Sequence, residues 1–241
     1  VAGAVGLAAW YFWGEFRNKD GGANIASTEN TEDGIERGEA VQPNLDRVVF
    51  GESVSQDERE RLGREIERIS ATLRDNTGLY DSWLDLGSYR KLAGDFAGAE
   101  EVWLYMTLRW PGDRSAYENL GDLYHLYIRD YPRAEKYYRL ALDRDDTYAL
   151  LYVKFHELYG LSWTEKAQLA DDILLEGIGK LPGHVGLLFT LAEYYAGVGE
   201  SAKARQYYGE VRTLAANVGD SKTVERVDEA VALLDSRLLG L

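Results

Sequence analysis

The sequence predicts an all-α protein assembled from repeated helical hairpins, and three observations carry that expectation. Only four prolines stand among 241 residues, while Ala, Leu, Glu and Arg abound, a balance that favours helix over strand. In ERERLGREIERISATLRDNTG the apolar residues Leu62, Ile66, Ile69 and Leu73 fall at spacings of four, three and four, the single stripe of an amphipathic helix over 56–75. From Tyr80 onward, landmarks of fixed size recur in a frame that drifts by one residue per copy.

Those landmarks define four units. Trp83, Tyr117, Tyr152 and Leu188 stand 34, 35 and 36 residues apart, and Leu86, Leu120, Phe155 and Leu191 follow each by three. Gly87, Gly121, His156 and Ala192 come next, mostly small. In the second half of each unit Ala99, Ala134, Ala170 and Ala204 recur, followed four residues later by Trp103, Tyr138, Leu174 and Tyr208. A helix with large residues three apart and a small one beside them lets a second helix cross closely at the small site, so each unit reads as two antiparallel helices. Starting signals lie between them: Asp95 after Gly94, Asp130 before Tyr131-Pro132, and Ser162 with Glu165 three residues on as a capping box. Pro111 and Pro182 stop the second helices of the first and third units. Beyond the array, Val224, Val227, Val231, Leu234 and Leu238 make one stripe, with charges opposite, as a terminal capping helix over 221–239 requires.

A spacing near 34 with Trp-x-x-Leu-Gly, Ala-x-x-x-aromatic and a closing Pro resembles the tetratricopeptide repeat (TPR). The likeness runs from about Tyr80 to Leu214. It is weakest in the third unit, where His156 replaces the small residue and YGLSWTEKAQ departs from the usual Gly-Asp-Tyr turn; the second unit has an extra residue near Tyr131 and Asp146 in place of Pro. The resemblance implies a right-handed α-solenoid of four hairpins, at about 80–113, 114–148, 149–184 and 185–218, between flanking capping helices. It further implies a concave groove, lined by the first helices, that receives a peptide or helix of a partner protein. Carried onto this chain, the groove residues are Asp81, Leu84, Ser88 and Lys91; Glu118, Asp122 and His125; Val153 and Glu157; Phe189 and Glu193. Acidic side chains dominate where a chaperone-binding version of the family places Lys, Arg and Asn, so charge complementarity favours a basic and apolar partner.

Composition narrows the function. Forty-one acidic residues against 27 basic ones give a net charge of −14, which repels nucleic acid. The chain has no cysteine, which excludes thiolate nucleophiles and Cys-rich zinc sites. It carries no phosphate loop, no His-Glu-x-x-His and no Gly-x-Ser-x-Gly. The three histidines, His125, His156 and His184, fall where the repeat explains them as packing or loop residues, and Asp143 to Asp146 lacks the Gly and distal Glu of a calcium loop. The expectation is a binding protein and not an enzyme, with no catalytic, cofactor or metal site.

Ahead of the array lie two further regions. Val1 to Gly14, VAGAVGLAAWYFWG, is free of charge and closes on Trp10, Tyr11, Phe12 and Trp13. It reads as the second half of a membrane-spanning helix with interfacial aromatics; the alternatives are the tail of a signal peptide, or a helix packed on protein. Residues 15–54 read as an acidic flexible linker, within which RVVFG, Arg47 to Gly51, is an apolar island able to dock as a strand or turn. The whole is expected to be a single-pass, membrane-anchored scaffold or adaptor, bacterial, with its repeats on the extracytoplasmic side. The alternative is a structural subunit of an envelope, filament or secretion assembly whose first helix packs on other protein helices.

Overall fold

The computed structural model describes residues 41–238, and every regular element among them is helical. Ten α-helices follow in order: α1 Gln56–Asp75, α2 Tyr80–Leu92, α3 Phe96–Arg109, α4 Ser115–Asp122, α5 Tyr131–Leu142, α6 Ala149–Glu157, α7 Ala170–Lys180, α8 Val185–Gly197, α9 Ser201–Asn217 and α10 Ser221–Leu238. They fall into two compact units dividing after Ala170, so that α1–α6 belong to one and nearly all of α7 through α10 to the other. The apolar stretch Val1 to Gly14 lies outside the described residues. No helix among those described is long and apolar enough to cross a membrane.

The crossing logic of the repeat is met atom by atom. Trp83, Leu86, Trp103 and Ala99 are wholly buried where α2 meets α3. A methyl at Gly87 would lie 2.7 Å from Trp103 Cε2, and one at Gly121 would lie 2.5 Å from Tyr138 Cε1. The missing side chain is therefore what admits the large ring of the opposing helix. Ala134, Ala170 and Ala204 are equally buried. At the expected starts, Asp95 accepts from Gly98 N at 3.0 Å and Asp130 from Arg133 N at 3.0 Å. The helices before Pro111 and Pro182 end at Arg109 and Lys180.

The drift in spacing has a local cause. The first helices of the second and third repeats do not end as α-helix but continue into π turns, Leu123–Ile128 and Leu158–Ser162. A π turn absorbs an inserted residue without breaking the helix, which accommodates repeats longer than 34. In the third repeat the expected Ser162–Glu165 capping box does not form. Ser162 ends the π turn, a 3₁₀ helix Thr164–Leu169 follows, and α7 begins only at Ala170.

The structure shortens the expected flexible linker 15–54. From Pro43 on, the chain is a strap fastened to the first hairpin, with Pro43 and Leu45 buried. Arg90, fully buried, donates to Asn44 O at 2.5 Å, and Arg74 holds Asp46 at 2.5 Å. Arg47 grips Asp95 through two hydrogen bonds of 2.7 and 2.6 Å, so the capping residue of α3 is also the strap's anchor. Gly51 N donates to Ala93 O at 2.7 Å, and the Arg59 guanidinium returns to Gly51 O and Val54 O at 2.8 Å each. RVVFG thus docks. Ser55 then opens α1 with a complete capping box, and Leu62, Ile66, Ile69 and Leu73 are buried along its stripe. In the second unit Val227 and Leu234 of α10 are buried and Val224 and Val231 half-buried, as the terminal stripe requires.

Gly87→Ala is expected to destabilise the protein by about 2–3 kcal/mol in urea unfolding, because the added methyl overlaps Trp103. Gly179→Ala, where a methyl meets nothing within 4 Å, is the control and should be neutral or stabilise by up to about 1 kcal/mol.

Candidate functional site

On the first unit, α2, α4 and α6 bring most of the expected groove residues together. Asp81 is exposed and Leu84 half-buried; the Ser88 hydroxyl donates back to Leu84 O at 3.0 Å. The Lys91 ammonium lies over the rings of Trp103 at 5.8 Å and Tyr127 at 5.5 Å. It has no carboxylate within ion-pair distance among the described residues, and burial lowers its pKa against the pull of Asp122.

Two of the carboxylates expected to attract a partner are already occupied. Lys154, from the next first helix, donates to Glu118 Oε1 at 2.6 Å and to Asp122 Oδ2 at 2.7 Å. Only 24% of the Lys154 side chain, 13% of Glu118 and 16% of Asp122 is exposed. Burial opposes the Lys154 charge, yet Asp122 and Glu118 together outweigh it and raise the ammonium above its ordinary value. Arg114 closes the other side of Glu118 and lies 3.4 Å from the centre of the Tyr148 ring. The anticipated acidic surface is thus largely neutralised from within. Glu157 differs: it is half-buried, its carboxylate makes no hydrogen bond or ion pair among the described residues, and it is raised in pKa by burial and by Asp122, with Lys154 opposing. Val153 is half-buried next to Lys154 in sequence.

His125 does not line the surface. It is buried in the π turn that follows α4, with Nδ1 3.2 Å from Tyr138 Oη and Nε2 2.8 Å from Ser162 Oγ. Because Tyr138 donates to Asp122 at 2.9 Å and a carboxylate only accepts, the network assigns the tautomer: Nδ1–H donates to Tyr138, and Nε2 accepts from Ser162. Burial, then Lys154, pushes the imidazole down to about 4 and keeps it neutral near pH 7. In the other unit Phe189 is likewise a packing residue, buried 5.6 Å from the Tyr208 ring and beneath Arg226 at 3.8 Å, whereas Glu193 is exposed.

Sequence reading missed Lys154 and Ser162. Lys154 stands 36 residues after Glu118 and 32 after Asp122, so it is the one lysine positioned within a first helix to bridge two carboxylates one turn apart; the spacing was a usable signal. Ser162 had none, since its role follows from the π turn.

The fold is that of tetratricopeptide-repeat proteins. Among solved structures it resembles a crystal structure of MamA, with a TM-score of 0.51 and 18% identity over 71% of this chain and 99% of that one. A second MamA structure gives 0.50 and 20% over 66% and 87%. YrrB, described as a TPR protein with an unusual peptide-binding site, gives 0.47 and 13% over 72% and 98%. No protein-family model matches the sequence, and no curated protein matches it either.

Two measurements probe the cluster. Lys154→Met should destabilise by about 2 kcal/mol near neutral pH, since it leaves two half-buried carboxylates without their cation. Lys154's folded-state pKa is raised, so its contribution is complete below about pH 10 and fades above it, and the difference between variant and parent should shrink there. For Glu157 the pKa is also raised and stability again falls as pH climbs, but the window is acidic and the charged form is the unfavourable one. A raised carboxylate pKa removes stability as pH climbs through it, so Glu157→Gln should raise the thermal midpoint at pH 7 and leave it unchanged near pH 4.

Proposed function

We propose that the protein is a protein–protein interaction scaffold, holding a segment of a partner against the inner face made by α2, α4 and α6. The observation that supports this reading most is the pair of unsatisfied charges there. Lys91 and Glu157 are desolvated, yet neither has an opposite charge within ion-pair distance among the described residues, while the carboxylates between them are bound by Lys154. A folded protein gains nothing from two such groups in isolation; a ligand bringing a carboxylate to one and an Arg or Lys to the other gives both a partner. The favoured partner still carries a basic residue, now assigned to Glu157 alone, beside apolar side chains that meet Leu84 and Val153.

The charge-free stretch Val1 to Gly14 supports a second element of the proposal, a membrane anchor that tethers the repeats near the bilayer, on its extracytoplasmic side. The rival, an assembly subunit whose first helix packs on protein, differs in outcome: in detergent an adaptor disperses as monomer or dimer, and a subunit polymerises or co-purifies at fixed stoichiometry. The scaffold does not need catalysis.

The test is capture of a partner from native membranes with the whole chain as bait, followed by kinetics with the purified partner. Glu157→Lys should slow association at low salt at least severalfold without loss of stability. Glu118→Lys and Asp122→Lys should instead lower the thermal midpoint, because they break the Lys154 cluster. An association rate unmoved by Glu157→Lys would end the proposal for the inner face. For the anchor, removal of residues 1–14 should abolish co-sedimentation with lipid vesicles.

A further inference from the structure

The first hairpin breaks a pattern that the other three keep, and it does so where the strap lies. Seven residues after their core anchors, the second, third and fourth repeats all carry tyrosine: Tyr124, Tyr159 and Tyr195. Each hydroxyl donates to a carboxylate on the preceding second helix, Glu100, Glu135 and Asp171, which stand one after the recurring Ala99, Ala134 and Ala170. Each ring also lies beneath a cation of its own hairpin, Arg133 at 4.3 Å, Lys166 at 5.4 Å and Lys203 at 4.7 Å. In the first repeat the tyrosine place holds Arg90. The place of Arg133 and Lys203, one before the recurring alanine, holds Gly98. At these two places the hairpin's own residues supply neither the hydroxyl nor the cation.

The strap supplies the cation instead. In the second repeat Arg133 Nε donates to the capping carboxylate Asp130 at 2.6 Å; in the first, Arg47 of the strap donates to the matching cap, Asp95, through Nε and Nη2 at 2.7 and 2.6 Å. Gly98 is what admits it, since a Cβ there would lie 2.8 Å from Arg47 Nε. Glycine is a poor helix former, and at this point of α3 the incoming guanidinium accounts for it. Arg90 also turns to the strap, donating to Asn44 O at 2.5 Å. The strap itself is folded for the purpose. Arg47 N donates to Asn44 O at 3.3 Å and Asp46 N to Asn44 Oδ1 at 2.9 Å, a turn from which Pro43 and Leu45 are buried and Arg47 reaches Asp95.

Two features mark the strap as a bound ligand and not a core element. One backbone–backbone hydrogen bond, Gly51 N to Ala93 O, joins it to the hairpin among the described residues. And buried Arg90 Nε still has no acceptor among those residues, so the strap does not exhaust the donors of the place it fills.

We infer that the notch between α2 and α3 of the first hairpin is a peptide-recognition site for an arginine-bearing turn, and that the strap, residues 43–51, is its tethered ligand. Loss of the strap would leave the Asp95 carboxylate, 2% exposed, without its cation, so the site favours exchange of one arginine-bearing occupant for another over standing empty. A partner that displaces the strap presents the same turn together with an acceptor for Arg90 Nε. None of these side chains belongs to the inner face, so the inference goes beyond the scaffold reading and is independent of it.

The test uses the whole chain and a fluorescent peptide of residues 41–51, followed by anisotropy. A tethered segment competes at an effective concentration on the order of millimolar, so the parent should bind the free peptide weakly. A chain whose strap is disabled by Leu45→Asp with Arg47→Ala should bind it at least tenfold more tightly, and Arg47→Ala alone, the milder change, should act in the same direction. Arg47→Ala within the peptide should lower its affinity for the disabled chain at least tenfold. Asp95→Asn in that chain keeps a good helix cap and drops the charge, so it should weaken peptide binding about tenfold while the thermal midpoint moves little. Glu157→Lys should leave peptide binding unchanged, which separates the notch from the inner face. Equal binding by the parent and the folded strap variants, no binding by either variant, or undiminished binding of the Arg47→Ala peptide would overturn the inference. So would a concentration-dependent dimer of the parent dissolved by Arg47→Ala, which would make the strap of a second copy the occupant.

Discussion

Where a first helix crosses its second, a residue with no side chain receives a large ring. Gly87 under Trp103 and Gly121 under Tyr138 leave the room that each ring fills, so the packing of each pair depends on the absent side chain. That approach decides which residues are left for other work: with the large rings spent on the seam, the remaining positions of each first helix face either the neighbouring repeat or solvent. The ion cluster and the unpaired Lys91 and Glu157 occupy those remaining positions. A looser crossing would shift every one of them.

What the sequence made legible followed periodicity. The stripe of α1, the crossing residues, the caps at Asp95 and Asp130 and the stops before Pro111 and Pro182 all rest on short-range patterns with a direct physical meaning. The repeat length was legible as well, but not how its surplus residues are stored, because a π turn leaves no compositional mark at Leu123–Ile128 or Leu158–Ser162. Ser162 shows the consequence: its chemistry suits a helix cap, and the local geometry instead turns it toward His125.

The candidate site was legible in position and not in state. Choosing residues by repeat register placed Glu118, Asp122 and Glu157 on one side of the unit, yet a linear charge count treats a carboxylate held by lysine and one held by nothing as equals. Lys154 separates the two by bridging Glu118 and Asp122 and leaving Glu157. His125 and Phe189 illustrate a related limit. Register predicts the direction in which a side chain leaves the helix; it does not predict whether a neighbour has already covered it.

The strap over the first hairpin has a mechanical meaning. Its attachments follow one another along the chain, Asn44 on Arg90, Asp46 on Arg74, Arg47 on Asp95, and then Gly51 on Ala93. Tension applied at residue 41 would therefore load them in sequence, as in unzipping, so that no two yield together and the force stays low. The third of these points is also the N-cap of α3. A sustained pull that reached Arg47 would strip a partner from Asp95 and reach the repeat array itself, making the first hairpin the place where tension on the chain is felt.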